Sequence, residues 1–383
     1  MLTKHLLIIG AGPYGLSAAA YAKHLGIDFA LLGKPMEFWR NSMPKGMFLR
    51  SSATWHLDPV EVNTFERFLE SKNLKPEQCF PIPLDLYVEY VDWFVEKSGI
   101  ESIPSYVWKL ERRSGRFEAY LDNGQTIVAE NVVAAPGLNF FRNSPADLTS
   151  KLPTGRYTHT CVTVNFEPLR GLRCLIIGGR QSAFEWAALM AEAGVAEIHL
   201  AYRHDTPQFE PSDWAWVDPL MQLTLDIRGW FRKLPPVERD LIEQRFWAEG
   251  RLKVEPWLAP RIHKPQIKIW SKRRLESCKV SSQGSLIVRL TGGAQLEVDH
   301  VLLATGYHVN VQQVPYLSKT TVLPQLKVHG GFPVLDEDFQ TSVPGLFLTG
   351  LAATRDFGPF YGFVRGCPSA AKIIGDRVGS TVH

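Results

Sequence analysis

"HLLIIGAGPYGLSAAAYA", residues 5–22, carries the pattern that decides the fold of this chain. Leu6 to Ile9 is a short apolar run, which is typical of a parallel β-strand buried on both faces. Gly10, Gly12 and Gly15 follow directly as G-x-G-x-x-G, and an alanine-rich helical stretch comes next. In this context the first glycine permits a tight turn, the second lets backbone approach a pyrophosphate, and the third lets helix and strand pack closely. The stretch therefore predicts a dinucleotide-binding unit.

Two other interpretations of this stretch are weaker. A secretory signal needs an unbroken apolar core of about 7 to 15 residues, whereas the glycines interrupt the run after Ile9. The glycines could also form a turn that binds nothing. No apolar run approaches the roughly 18 residues of a membrane span. We therefore expect no membrane span. The formal net charge of +3 is spread along the chain, so we also expect no nucleic-acid binding.

The cysteines indicate a reducing environment. Their number is odd and no two form a C-x-x-C pair, so we expect neither a disulphide framework nor a metal site. Since no secretory signal is predicted either, we expect a cytoplasmic protein. The five cysteines are Cys79, Cys161, Cys174, Cys278 and Cys367.

A second glycine turn lies in the middle of the chain. Residues 172–190, "LRCLIIGGRQSAFEWAALM", again pass from an apolar strand through glycines into an alanine-rich helix. Gly178 and Gly179 are followed by Arg180 in the place of the middle glycine, and Ala183 replaces the last one. Either the Arg180 guanidinium pairs with a phosphate or this half has lost its ligand. We favour the phosphate contact.

The strand after each turn bears on the ribose contact. In the second unit, "EIHLAYRH" ends in Arg203 and His204, where a cation suits a 2′-phosphate, so NADPH is expected rather than NADH. Arg203 could alternatively be an ordinary surface charge. In the first unit the customary acid about 20 residues after the glycines would fall near Gly33, and none is present.

These patterns predict an α/β fold with two Rossmann-like dinucleotide-binding domains, the second inserted in the first, plus a helical insert. The first domain is expected at residues 1–155 and 290–383, and the second at 156–289. The tryptophan-rich insert is placed at about 205–270. Helical spacing from Leu220 to Leu234 predicts one helix, which Pro235-Pro236 ends before a second helix up to Gly250. The insert is expected to pack over the second domain or the active-site mouth, although a dimer or membrane contact stays possible.

The chain resembles the two-dinucleotide-domain flavoproteins, and among them the NADPH-dependent flavin monooxygenases. "IIGAGPYG" resembles their FAD turn, and "GRYTHT" is similar to a degenerate F-x-G-x-x-x-H-x-x-x-Y signature, with Pro153 and Thr163 in place of its aromatic ends. "DHVLLATGY" and the order of "MFLRSSATWHLDP" and "FPIPLDLYVEYVDWF" are similar to the branch that N-hydroxylates lysine and ornithine. "GKPMEFWRNSMPKGMFLRSS" with "IIGGRQSAFEWAALMAEAG" resembles a bacterial subgroup that includes FAD-dependent urate hydroxylases.

The resemblance implies FAD and NADPH as cofactors and assigns residues to them. "PGLFLTGLAATRDFGPFYGFVRG" resembles the closing FAD motif, with Leu351 where disulphide reductases carry an acid. Residues 47–56 correspond to the loop between flavin and nicotinamide, so Arg50, Ser51 and His56 are the catalytic candidates, with Arg50 as the expected anion or oxygen contact. Each of them could also be an ordinary loop residue. The expected cofactor-binding residues are Gly10, Gly12, Pro13, Tyr14, Gly15, Trp39, Met47, Gly137, Gly178, Gly179, Arg180, Gln181, Ser182, Arg203, His204, Thr305, Gly306, Gly350 and Leu351.

The function that the resemblance implies is that of an FAD monooxygenase. NADPH would reduce the flavin, dioxygen would form a flavin hydroperoxide, and one oxygen would pass to a small molecule, either a purine-like heterocycle such as urate or an amine. One alternative is an FAD oxidoreductase that passes electrons to another acceptor, and another is a non-catalytic redox-sensing flavoprotein. The expected partners are a small-molecule substrate and dioxygen, with homo-oligomerisation possible.

Overall fold

Residues 2–380 are described by a computed structural model of the protein. The glycine turn at residues 10–15 connects a buried strand to a helix, as predicted, and a third strand of the same unit ends at Ala134. The elements up to residue 149 are β1 (Leu2–Ile9), α1 (Pro13–His24), β2 (Phe29–Leu32), α2 (Glu37–Asn41), β3 (Phe48–Leu49), α3 (Phe65–Ser71), β4 (Ile82–Pro83), α4 (Leu84–Ser98), β5 (Val107–Arg113), β6 (Arg116–Leu121), β7 (Thr126–Ala134) and α5 (Ala146–Thr149).

The second glycine turn also connects a strand to a helix. The elements from residue 157 to residue 303 are β8 (Tyr157–His159), β9 (Arg173–Ile177), α6 (Gln181–Glu192), β10 (Glu197–Ala201), β11 (Gln208–Phe209), α7 (Val217–Asp226), α8 (Trp230–Lys233), α9 (Pro236–Trp247), β12 (Lys253–Val254), α10 (Ala259–Ile262), β13 (Ile267–Trp270), β14 (Leu275–Val280), β15 (Leu286–Leu290), β16 (Gln295–Val298) and β17 (His300–Leu303). The remaining elements are β18 (Val328–His329), β19 (Phe332–Pro333), β20 (Leu346–Leu348), α11 (Thr354–Phe357) and α12 (Cys367–Gly379).

Two separate sheets form the centres of two units. In the first sheet the strand order is β2-β1-β7-β6-β5, and β20 also pairs with β7. β1 runs parallel to β2 and β7, with Ile8 opposite Leu31 and Val133. In the second sheet the order is β13-β10-β9-β17-β8, and all of its strands are parallel. This arrangement confirms the predicted α/β fold with two Rossmann-like units.

Chain segments cross between the units as the sequence predicted, but the second crossing lies further along. β17 pairs with β9 and β8 in the second sheet, although the boundary at residue 290 assigned it to the first domain. An apolar strand is compatible with either sheet, and only its partners decide which sheet it joins. β20 then returns to the first sheet beside β7. The assignment of one unit to FAD and the other to NADPH stays a prediction.

The tryptophan-rich insert is helical, but its first predicted helix is broken. α7 ends at Asp226, because Ile227 is extended with φ −129° and ψ 99°, and Gly229 precedes α8 with a left-handed φ of +67°. The insert also ends earlier than residue 270, since β13 pairs with β10 in the second sheet.

The apolar side of the insert packs against the first unit. Trp214, Met221, Phe231 and Phe246 belong to the same buried core as α1 and α4. The insert therefore connects the two units instead of covering the second unit alone. Within residues 2–380 no helix is both long and apolar enough to cross a bilayer.

Candidate active site

The first glycine turn has the geometry of a phosphate cradle. Gly10 adopts a φ of +109°, and a Cβ there would lie 2.3 Å from the Ala135 carbonyl oxygen. A Cβ on Gly15 would lie 1.7 Å from the Gly10 carbonyl oxygen, so helix and strand require a glycine at this point. A Cβ on Gly12 would meet no protein atom within 4 Å. Only Gly12 therefore faces open space, as expected where backbone approaches a pyrophosphate.

Tyr14 brings the closing segment of the chain to this turn. Its hydroxyl lies 2.6 Å from the Tyr361 carbonyl oxygen and 2.8 Å from the Phe363 carbonyl oxygen. Gly350, with a φ of +74°, lies so close that a Cβ would be 3.4 Å from the Tyr14 ring. Pro13 is the first residue of α1, and Leu351 packs against the same core. The predicted FAD residues at the two ends of the chain therefore meet in space.

Three other predicted cofactor residues lie around the first unit. Trp39 stacks on Tyr87 with ring centroids 5.4 Å apart. Met47 packs against both main cores and thus lies between the two units. Gly137 follows β7 with a φ of +66° and is exposed.

The second glycine turn is tight, and its arginine points towards the insert. A Cβ on Gly178 would lie 2.4 Å from the Ala304 carbonyl oxygen, and one on Gly179 would lie 2.3 Å from the Tyr202 ring. Arg180 precedes α6, which begins with Gln181 and Ser182. The Arg180 Nη1 donates to the Arg251 carbonyl at 2.5 Å, and its guanidinium lies 5.3 Å from the centre of the Trp247 ring. A phosphate contact would have to use the remaining N–H groups of this side chain or replace its bond to the Arg251 carbonyl.

Positive charge collects around this turn. Arg203 is exposed, and within residues 2–380 it makes no hydrogen bond or ion pair. Burial, followed by the charge of Arg203, lowers the pKa of Arg180, so the two guanidinium groups lie near enough to repel each other. His204 stacks on Tyr202 at 4.9 Å and donates from Nδ1 to the Asp205 carbonyl at 2.6 Å. An uncompensated cation such as Arg203 suits a phosphate group.

Thr305 and Gly306 lie on the second of two linkers that cross between the units. The Thr305 hydroxyl donates to the Asn143 carbonyl at 2.5 Å. The Gly306 carbonyl accepts from His159 Nε2 at 3.1 Å. A polar cavity of about 730 Å³, whose lining includes Arg142 and His308, opens beside these linkers and away from both glycine turns.

Arg50 is held by the insert, which argues against its predicted role as the oxygen contact. Nε donates to Glu255 Oε1 and Nη1 to the Gly250 carbonyl, both at 2.8 Å. Nη2 donates to the Glu249 carbonyl at 3.1 Å and to the Ser212 hydroxyl. All three guanidinium nitrogens therefore have acceptors within the protein. Arg50 therefore connects the two units, and its role as the oxygen contact stays a prediction.

The other catalytic candidates lie in the same loop. Ser51 is buried. His56 is partly buried, and its Nδ1 has no hydrogen-bond partner within residues 2–380. Burial lowers the pKa of His56, although Asp58 and Glu61 act in the opposite direction. His56 thus retains one ring nitrogen without a partner among the described residues.

Comparison with known proteins decides the family. The profile of the pyridine nucleotide-disulphide oxidoreductase family matches residues 4–359. The chain belongs to that family. This oxidoreductase is 24% identical over 372 residues to an uncharacterised CzcO-like oxidoreductase of Geobacillus kaustophilus, and the match covers 90% of each chain. A match to the FAD-dependent urate hydroxylase of Xanthomonas campestris is 26% identical over 129 residues, which are 32% of this chain and 27% of the relative.

A solved structure extends the likeness to the whole oxidoreductase. The ornithine N-hydroxylase of Kutzneria sp. 744, which was determined with reduced FAD, NADP+ and L-ornithine, superposes with a TM-score of 0.82. The two chains are 16% identical, and each is covered over 100% of its length. The expected resemblance to flavin monooxygenases of the N-hydroxylating branch is therefore confirmed at the level of the fold.

Sequence reasoning missed two buried acidic residues, Asp58 and Glu185. Buried Asp58 accepts hydrogen bonds from the backbone N–H groups of Val60, Val62 and Asn63 and shapes the turn after His56. Glu185 in α6 is fully buried beside Arg261, and burial raises its pKa to about 7. For Glu185, the signal in the sequence was an acid within the otherwise apolar helical stretch "SAFEWAALM".

Proposed function

We propose that this oxidoreductase is an FAD-dependent, NADPH-consuming monooxygenase that oxygenates a small molecule. The observation that carries the proposal is the presence of two glycine turns, each suited to a nucleotide. Among the three glycines of the first turn only Gly12 faces open space, and the second turn lies beside the uncompensated charge of Arg203. The whole-length likeness to an enzyme determined with reduced FAD and NADP+ supports it.

The residues of the two turns fit the two cofactors. The backbone at Gly12 and the start of α1 would hold the FAD pyrophosphate, and Gly350 would approach the flavin from the closing segment. The backbone at the start of α6 and the side chain of Arg203 would hold NADPH. When bound, the flavin would supply the redox chemistry, which is hydride acceptance from NADPH and two-electron reduction of dioxygen. The balanced reaction converts NADPH, a proton, dioxygen and substrate into NADP+, water and the hydroxylated substrate.

The protein itself must keep water away from the reacting atoms. Beside the loop that carries Arg50 and His56, the rings of Trp55, Trp214 and Phe363 lie 5.6 to 6.3 Å apart. This aromatic cluster closes the space between the loop and the insert. We propose that it excludes water there and that His56 contacts the substrate or the nicotinamide.

Reduction of a disulphide is the second candidate, because the name of the family covers it. All five cysteines are free thiols, four of them buried, and none forms a C-x-x-C pair with another. The chain therefore offers no cysteine pair for exchange, which favours oxygenation. Free thiols also fit the reducing cytoplasm that we propose as its location.

The test is to load purified protein with FAD and to follow NADPH and oxygen consumption together. We expect one dioxygen molecule consumed per NADPH, with an oxygenated product from at least one member of a panel of purines, amines, sulphides and ketones. Protein that takes up no FAD would contradict the proposal. So would anaerobic reduction of a disulphide or dye with no oxygenated product under air, an outcome that favours the reductase.

A further inference from the structure

Residues 249–255 form a strap between the two units. The strap leaves α9 through a π-helical turn at Ala248–Leu252 and ends at Glu255. Its carbonyl groups at Glu249 and Gly250 accept hydrogen bonds from Arg50, which belongs to the loop of the first unit. On this side the strap is therefore attached to the loop that the proposed flavin site uses.

Glu255 completes this attachment with a buried ion pair. Its Oε1 accepts from Arg50 Nε at 2.8 Å, and the side chains of Arg50 and Glu255 are only 12% and 4% exposed. The Ser212 hydroxyl lies 2.9 Å from the same oxygen. Because both charges are desolvated, losing either one leaves an uncompensated charge in the protein.

The other side of the strap is attached to the second glycine turn. The Glu255 backbone N–H donates to Gln181 Oε1 at 3.0 Å, and Gln181 is the first residue of α6. The Arg251 carbonyl accepts from Arg180 at 2.5 Å. One residue, Glu255, thus contacts both the flavin-side loop through its carboxylate and the nucleotide-side helix through its backbone.

We propose that Glu255 is a positioning residue that sets the Arg50 loop relative to the start of α6. The inference rests on the proposed function, because it matters only if a nucleotide bound at α6 must reach a flavin beside that loop. A displacement of about 1 Å between reacting groups is enough to slow a transfer strongly. Glu255 would act through Arg50 and Gln181, which its carboxylate and its backbone N–H contact.

The experiment compares Glu255→Gln with Asp218→Asn. Asp218 pairs with Arg365 at 2.6 Å and also connects the insert to the first unit, but it contacts neither Arg50 nor Gln181. In FAD-loaded protein we expect Glu255→Gln to raise the calorimetric Kd for NADP+ and the NADPH concentration for half-maximal flavin reduction by about tenfold. The fraction of NADPH oxidation that yields hydrogen peroxide instead of oxygenated product should also rise. Asp218→Asn should change each value by less than about twofold.

Ser212→Ala provides a test that does not bury an unpaired charge. It removes one hydroxyl beside Glu255, and we expect it to raise the Kd for NADP+ by about threefold. The double variant Arg50→Met with Glu255→Gln should be no worse than the poorer single variant, since the pair acts as one unit.

Equal behaviour of Glu255→Gln and Asp218→Asn would overturn the inference, as would a lowered melting temperature with unchanged Kd and peroxide yield. If Glu255→Gln fails to fold, an unchanged Kd in Ser212→Ala overturns it. Wild-type protein that binds no NADP+ would instead overturn the proposed function, so the two failures are distinguishable.

Discussion

At the scale of single residues, the three glycines of the first turn have different roles that one substitution can separate. Gly12→Ala adds a methyl group where no protein atom lies within 4 Å. We expect the FAD-free protein to keep its melting temperature while FAD affinity falls by roughly 10- to 100-fold, since the methyl group crowds the pyrophosphate. Fluorescence titration with FAD and thermal melts measure the two quantities.

The matched control is Gly15→Ala, whose methyl group would lie 1.7 Å from the Gly10 carbonyl oxygen. This variant should lose stability before any cofactor is added. Unchanged FAD affinity in Gly12→Ala would show that the open space does not hold the pyrophosphate.

Arg203 supplies the second prediction at this scale. A charge-assisted contact with a 2′-phosphate contributes about 1.5 to 3 kcal/mol, so Arg203→Ala should reduce the preference for NADPH over NADH by about tenfold or more. Flavin-reduction rates with both nucleotides measure it. Lys272→Ala removes a neighbouring exposed cation that pairs with Asp205 at 2.7 Å, and it should leave the preference unchanged. A wild-type protein that uses both nucleotides equally would refute the assignment of Arg203.

At the scale of elements, periodicity predicts the presence of a helix better than its continuity. Leu220, Ile227 and Leu234 keep helical spacing across the break at Gly229, so the pattern alone could not show that α7 and α8 are separate. A Cβ on Gly229 would lie 3.0 Å from the Glu337 Cβ, more than 100 residues away in sequence. Glu337 therefore packs against the break, and local spacing does not contain this tertiary contact. The glycine turns, by contrast, were predictable because each turn is determined by adjacent residues.

Helix α6 carries a prediction about pH. Burial raises the pKa of Glu185 from 4.5 to about 7 despite Arg261 nearby. The folded state therefore holds a proton that the unfolded state has released, and wild-type stability should fall as pH rises from about 4.5 to 7. Each pKa unit corresponds to about 1.4 kcal/mol, which bounds the loss at roughly 3 kcal/mol. The stability of Glu185→Gln should lack this pH dependence. Its free energy of unfolding relative to the wild type should therefore increase from pH 5 to pH 8.

Urea unfolding of wild type and Glu185→Gln at pH 5 and pH 8 measures the two free energies of unfolding at each pH. Glu243→Gln is the control, since Glu243 is exposed on α9. Parallel pH dependence in wild type and Glu185→Gln would contradict the burial argument.

At the scale of the whole molecule, the contacts between the two units could not be predicted from the sequence. Arg50 and Glu255 are about 200 residues apart, and their pairing depends on how the insert folds back onto the first unit. Residue type suggested that Arg50 binds an anion, and it does pair with a carboxylate, but that carboxylate belongs to the protein. Membership of β17 in the second sheet was missed for the same reason, because strand pairing is a tertiary property.

The aromatic contact between the insert and the first unit gives the last prediction. The Phe363 ring lies 5.4 Å from that of Phe246 and 5.6 Å from that of Trp214, both in the insert. Phe363→Ala should cost about 3 kcal/mol of stability and should expose the insert to trypsin. Trp108→Ala changes an exposed ring on β5 and serves as the control. Unchanged cleavage within residues 205–266 would show that other contacts hold the insert in place.

The pairing of β7 with β20 has a consequence for the order of events on the ribosome. Every strand of the second sheet lies between residues 157 and 303, so that sheet can form as soon as this stretch has emerged. The first sheet has to wait for Leu346–Leu348, and α12 reaches α1 later still. The unit that contains β1 is thus completed after the second sheet, and until β20 arrives the nascent chain exposes the edge of β7 to chaperones or to other unfinished copies.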